Sequence, residues 1–197
     1  MIGLAFREVG FSAGTTALLL AATLLGSFVN LPLLKVKSRI PLVRTRFVDV
    51  FGIVYRIPEV QYGESTTQVA VNLGGAIIPT AISLYLLWRM PSAVPSALIG
   101  VAVVAGVTHL VARPVRGMGI ATPAIVPPVT AALVAYLLPF RLPQITAYVS
   151  GVMGALIGAD LLNLYKVPRL GARYASIGGA GTFDGIFLSG IISVLLV

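Results

Sequence analysis

The chain of 197 residues has no cysteine, one histidine, one tryptophan and only six acidic residues. Without cysteine there can be no disulfide, thiol nucleophile or thiolate metal site. One histidine, His109, and a few scattered acids do not supply a zinc-type ligand set. A Ser/His/Asp arrangement is disfavoured too, because His109 lies near the end of an apolar stretch with no acid close in sequence. No metal and no other cofactor is therefore expected. Charge is scarce overall: 10% of the residues are charged, against about a quarter in soluble domains. What fills the chain instead is apolar, 57% of residues, with a mean hydropathy of +0.98.

The apolar residues fall into six runs, Phe11–Leu34, Thr67–Trp88, Val94–Ala112, Ile120–Phe140, Ile145–Leu164 and Ala175–Val197. Each approaches the length of about 20 residues needed to cross a bilayer as a helix. The turn Arg141-Leu142-Pro143-Gln144 between the fourth and fifth is short enough for a helical hairpin. The expected fold is an all-α integral membrane protein, one polytopic domain over residues 1–197 with six transmembrane helices. The first run is about twice the length of a signal-peptide core and ends in LPLLKVK with no small-residue cleavage site, so it reads as the first membrane helix.

Alternating helices place the connections on two sides, and the net charge of +8 is divided unevenly between them. One side carries Lys35, Lys37, Arg39, Arg44, Arg46, Arg56, Arg113, Arg116, Lys166, Arg169 and Arg173; the other carries only Arg7, Arg89 and Arg141. This is the positive-inside asymmetry, and it predicts a multi-pass protein of the cell membrane with both termini outside. The lipid bilayer accounts for the basic excess, and no nucleic-acid partner is needed. The only sizeable extramembrane segment is the cytoplasmic loop 35–66. Within it RTRFVDVFGIVYRIPEVQY alternates polar with β-branched or aromatic residues around Phe51-Gly52, which predicts a small cytoplasmic β-hairpin between helices 1 and 2. Such a hairpin serves as a flap over helix ends or offers an edge for an extended substrate.

The apolar runs contain just two acids, Asp160 and Asp184, in the last two runs. A carboxylate at the bilayer centre costs roughly 3 kcal/mol on insertion scales, so an intramembrane acid is a functional candidate. Two carboxylates in contact cannot both ionise. They share a proton and titrate as a pair, one able to take a proton from water while the other polarises a carbonyl. The same pair could bind a cation or relay protons, and a structural role, with each acid bonded to backbone or to Asn163, is the third alternative. The segment YASIGGAG before Asp184 is weak helix. If it is extended, the last helix starts near Ala180 and both acids lie toward the cytoplasmic side. SIGGAGTFDG is not a phosphate loop, because no strand is expected before it and an apolar span follows.

Proline removes a backbone donor inside a helix. Pro79 in the second run reads as a packing kink, while Pro123, Pro127 and Pro128 in TPAIVPP mark a break that could line a hydrated cavity. Asn30 and Asn72 read as interhelical hydrogen-bonding residues, with cavity lining as the alternative.

The run GTFDGIFLS resembles the catalytic motif of presenilins and signal peptide peptidases, in which G-x-G-D precedes an apolar helix; Gly181, Asp184, Ile186, Phe187 and Ser189 match. Asp160 in GADLLNL corresponds to the aspartate of their Y-D motif. Phe183 stands at the place of the second glycine and Ala159 at that of the tyrosine, and the chain has six spans rather than nine. The nearest counterpart of their P-A-L motif is Pro123-Ala124-Ile125, which precedes both acids. The resemblance implies an intramembrane diaspartyl protease, or an inactive relative. Asp160 and Asp184 would be catalytic, and Gly179, Gly181, Pro123, Ala124, Ile125, Pro127 and Pro128 would meet a transmembrane helical peptide substrate. An ion- or proton-coupled transporter and a structural membrane scaffold remain the alternatives. Over its full length, through GSFVNLPL, VARPVRGMGIATPAIVPP, GADLLNL and SIGGAGTFDGIFLSGI, the chain is similar to a prokaryotic membrane protein family of unknown function, domain of unknown function 1614.

Overall fold

Apolar runs become helices, and strands form in or beside the basic connections between them. The computed structural model describes residues 6–50, 53–115, 119–138, 142–179 and 185–197. In chain order the elements are α1 (Ala13–Gly26), β1 (Asn30–Val50), β2 (Ile53–Asn72), α2 (Leu73–Arg89), α3 (Pro91–Val111), β3 (Arg113–Val115), β4 (Gly119–Ala121), α4 (Val126–Leu137), α5 (Pro143–Arg169), β5 (Tyr174–Ile177) and α6 (Gly185–Leu195). Each expected run thus carries a helix. Two of them, α3 with 21 residues and α5 with 27, are long and apolar enough to cross a membrane.

The other four are shorter than their runs, for identifiable reasons. Asn30–Leu34, placed by hydropathy in the first span, begins β1; Pro32 cannot continue a helix, and the register shifts between Pro32 and Leu34. Thr67–Asn72 ends β2, since TTQVAV is rich in β-branched residues. Gly119–Ala121 is the strand β4, and Pro123 stands before α4. Pro127 and Pro128 therefore occupy the first turn of a helix, where a missing N–H leaves no bond unmade, and do not interrupt a longer one. Tyr174–Ile177, placed in the last span, is β5.

The hairpin between α1 and α2 is far from small. Its strands of 21 and 20 residues pair antiparallel from Asn30↔Asn72 to Val50↔Ile53, roughly 65 Å at about 3.3 Å per residue. The turn residues Phe51 and Gly52 lie outside the described residues. β5 adds to β2 in parallel, giving the order β1-β2-β5, while β3 and β4 form a separate two-stranded ladder.

α5 is the central helix. From Ile145 to Leu156 nearly every side chain is buried, and α3, α4 and α6 pack around it, with α2 contributing a further contact. Close approach depends on small residues. Gly154 lies against Val104, and Gly158, one turn on, against Ala105 and Thr108, so that a Cβ at either position would collide with α3. This is the small-xxx-small pattern by which membrane helices bring their backbones together. Large apolar side chains meanwhile point outward on the peripheral helices, including Leu18, Leu84, Trp88, Leu98, Leu110 and Leu133.

Candidate functional site

The segments joining α1 to α2, α3 to α4 and α5 to α6 converge on one cavity of about 710 Å³. Its wall takes Asn30 and Val69 from the base of the hairpin, Gly119–Ala124 and Pro127 from β4 and the entry to α4, and Tyr174–Ile177 from β5. Ala155, Ala159, Asp160 and Leu164 come from α5, and Gly185 and Ile186 from the start of α6. Small side chains dominate the α4 and α5 walls, leaving space next to the one carboxylate among the lining residues.

Asp160 reaches this cavity because α5 changes its winding there. The helix is α-helical to Ala155, widens into a π turn over Leu156–Asp160, and continues as a 3₁₀ helix over Leu161–Arg169. π turns widen a helix by one residue and often occur at functional sites. The altered winding displaces the normal carbonyl partners, and Asn163 meets two of them: its Nδ2 donates to the Gly158 and Ala159 carbonyls, both at 2.9 Å. Lys166 Nζ in turn donates to Asn163 Oδ1 at 2.6 Å. The 3₁₀ rise of about 2 Å per residue also places Lys166 roughly 12 Å along the chain from Asp160, farther than the roughly 9 Å of an α-helical rise.

The carboxylate is held from across the cavity. After β5 the chain turns through two left-handed glycines, Gly178 (φ 86°) and Gly179 (φ 79°), and the Gly178 N–H donates to Asp160 Oδ2 at 2.7 Å. Asp160 is therefore bonded to backbone and not to Asn163. The segment YASIGGAG, weak as helix, is extended over Tyr174–Ile177. β5 shares one edge with β2 and lines the cavity along its whole length. Asn30 is tied into the same wall: its Oδ1 accepts from Ser176 Oγ at 2.6 Å and from Asn72 Nδ2 at 3.1 Å, while Asn72 Nδ2 also donates to the Ser27 carbonyl. Asn72 is thus a buried bonding residue and Asn30 both bonds and lines the cavity.

Of the residues singled out from sequence, Asp160, Gly179, Pro123, Ala124 and Pro127 line the cavity together. Ile125 points away, 72% exposed, and Pro128 is buried in the first turn of α4 outside the lining. Asp184 and Gly181 lie outside the described residues; Gly185, next in chain to Asp184, is in the wall. His109, the single histidine, has a buried Nδ1 with no partner among the described residues. Sequence reading missed Gly178, Ser176 and Thr122. The glycine pair 178–179 was the available signal for a left-handed turn, and Thr122 adjoins the Pro123 break; nothing local marks Ser176.

The family model for Protein of unknown function (DUF1614) matches residues 24–196, nearly the whole chain, and the chain belongs to that family. No match was found among curated proteins or among solved structures.

Proposed function

We propose that this member of the DUF1614 family crosses the membrane six times, with both termini outside, and hydrolyses peptide bonds of membrane-spanning substrates with Asp160 and Asp184 as a carboxylate pair. The membrane reading is supported by the outward-facing leucines and by where the short helices end. α4 begins at the cavity wall, so the depth it leaves unspanned is taken up by the cavity, and Gly185 of α6 lies in the same wall. Non-helical backbone at membrane depth is tolerated where it lines such a space. The basic residues of all three converging connections favour the cytoplasm as the side from which water enters.

The observation that carries the chemistry is that one cavity wall holds both Asp160 and Gly185, the residue after Asp184. In the reaction the ionised carboxyl takes a proton from water as its oxygen attacks the peptide carbon, and the protonated carboxyl hydrogen-bonds the carbonyl oxygen. Collapse of the tetrahedral intermediate breaks the C–N bond, and the departing amine receives the proton. A helical substrate must unwind first, since its own hydrogen bonds shield the peptide group; the cavity-facing length of β5 suits pairing with the unwound strand. The test is cleavage of membrane-helix substrates by purified protein, comparing wild type with Asp160→Asn and Asp184→Asn. Cleavage that survives in either variant rules out the pair as catalyst.

The broken course of α5 at Asp160 favours one second reading, ion- or proton-coupled transport, because discontinuous helices build transporter sites. Proton or cation flux in liposomes, lost in Asp160→Asn and unaccompanied by peptide hydrolysis, selects that reading. Neither activity across a broad substrate set selects an inactive relative or scaffold.

A further inference from the structure

A second cavity, an open groove of about 560 Å³, runs between α1 and α2 and shares no residue with the Asp160 cavity. Its floor is apolar, with Leu19, Ile78 and Ile82, and its polar lining includes Arg89, Ser12 and Thr15. Arg89 ends α2, and its guanidinium has no hydrogen bond or ion pair with any described residue. The groove lining contains no acid. Ser12 Oγ and Thr15 Oγ1 bond one another at 2.9 Å. Only one of their two hydroxyl hydrogens is used in that contact, which leaves the other to donate.

The dimensions match one leaflet. From Ile78 to Arg89 the helix rises about 16 Å at ~1.5 Å per residue, half of the roughly 30 Å hydrocarbon core. Trp88 and Tyr85 are exposed beside Arg89, as aromatic residues are at the headgroup level. Phe11 stacks on Tyr85 with ring centroids 6.0 Å apart and closes one wall.

We infer that this groove binds one anionic phospholipid, its phosphate on Arg89 and the Ser12–Thr15 hydroxyl pair and an acyl chain along Leu19, Ile82 and Ile78. The inference rests on the membrane reading above. A guanidinium can hold a phosphate through two parallel hydrogen bonds. A zwitterionic lipid would bring an ammonium that finds no carboxylate in the groove, whereas an anionic one leaves the lipid–Arg89 pair neutral. The same arginine stands on the side that carries few basic residues, where charge for orientation is not required.

Native mass spectrometry of the full chain released from bilayers of equal phosphatidylglycerol and phosphatidylcholine tests this. One retained phosphatidylglycerol is expected, preferred roughly fivefold, the equivalent of about 1 kcal/mol for one basic residue near the surface. Arg89→Ala should erase the preference, and Ala81→Trp, at an exposed groove position, should expel the lipid altogether. Equal retention of the two lipids, a preference that survives in Arg89→Ala, or displacement of the lipid by inorganic phosphate would each overturn the inference. A chain recovered in the soluble fraction would overturn the membrane reading as well, whereas an embedded chain lacking the preference overturns this inference alone.

Discussion

The backbone N–H of Gly178 and the carboxylate of Asp160 are joined at 2.7 Å across 18 positions of sequence. The bond exists because Gly178 takes a left-handed φ of 86° directly after β5, and because its missing side chain lets the turn press onto Gly75 and Ala76 in α2. One glycine thus couples the strand, the π-helical first turn of α2 over Leu73–Ile77 and the acid of α5.

Gly178→Ala should consequently destabilise the chain. The left-handed conformation costs a non-glycine residue of order 1–3 kcal/mol, and the added Cβ meets the Ala76 backbone and Cβ. A clear loss of thermal stability in detergent is expected, together with loss of any activity that depends on Asp160. An unchanged melting temperature would mean that the turn is not built as described.

Asn163 supplies a separate test of the altered winding of α5. Removing its amide in Asn163→Leu leaves the Gly158 and Ala159 carbonyls without their side-chain donor, at about 1–3 kcal/mol for the buried Gly158 carbonyl and less for the part-buried Ala159 one. Lys166→Met should cost less, because it removes only a donor to the Asn163 oxygen. Equilibrium or thermal unfolding of the two variants should rank them in that order.

Much of this architecture is legible in the residues. The six helices are recoverable because apolar runs bounded by charge have few other solutions. Asp160 stands out because an acid amid leucine and alanine needs a reason. The helix ends are another matter. Hydropathy does not separate LPLL or TQVAV as strand from the same residues as span, since leucine and valine are apolar in both; only Pro32 and the β-branched run tell them apart. The cavity wall depends on pairings between remote segments, such as Ser176 with Asn30 and Gln68↔Tyr174, for which no local pattern exists. The π turn at Leu156–Asp160 is likewise invisible locally, because its one glycine, Gly158, does not differ from Gly151 and Gly154 in the α-helical part of α5.

Topology can be read directly in a chain with no native cysteine. Single cysteines at Lys37 and Thr45 in the hairpin, both exposed, should react with a membrane-impermeant maleimide only after the cells are opened. A cysteine at Trp88, 78% exposed near the end of α2, should react from outside if it lies at the headgroup level. Labelling of Lys37→Cys in intact cells would invert the orientation, and with it the side from which water reaches Asp160.

The two aspartates provide the last and sharpest expectation. Asp160→Asn retains an oxygen that can accept from Gly178 N–H, so the fold should persist with little change in melting temperature while cleavage is abolished. Asp184→Asn should abolish it equally. Hydrolysis requires one carboxyl ionised and the other protonated. Activity should therefore fall at low pH, where both are protonated, and at high pH, where both are ionised, giving a bell whose limbs belong to the pair and not to either residue. Rates measured across pH with a membrane-helix peptide check this. A single-limbed profile, with activity still rising where both acids are ionised, would show that no shared proton is used, and one aspartate acting alone would then have to explain the chemistry.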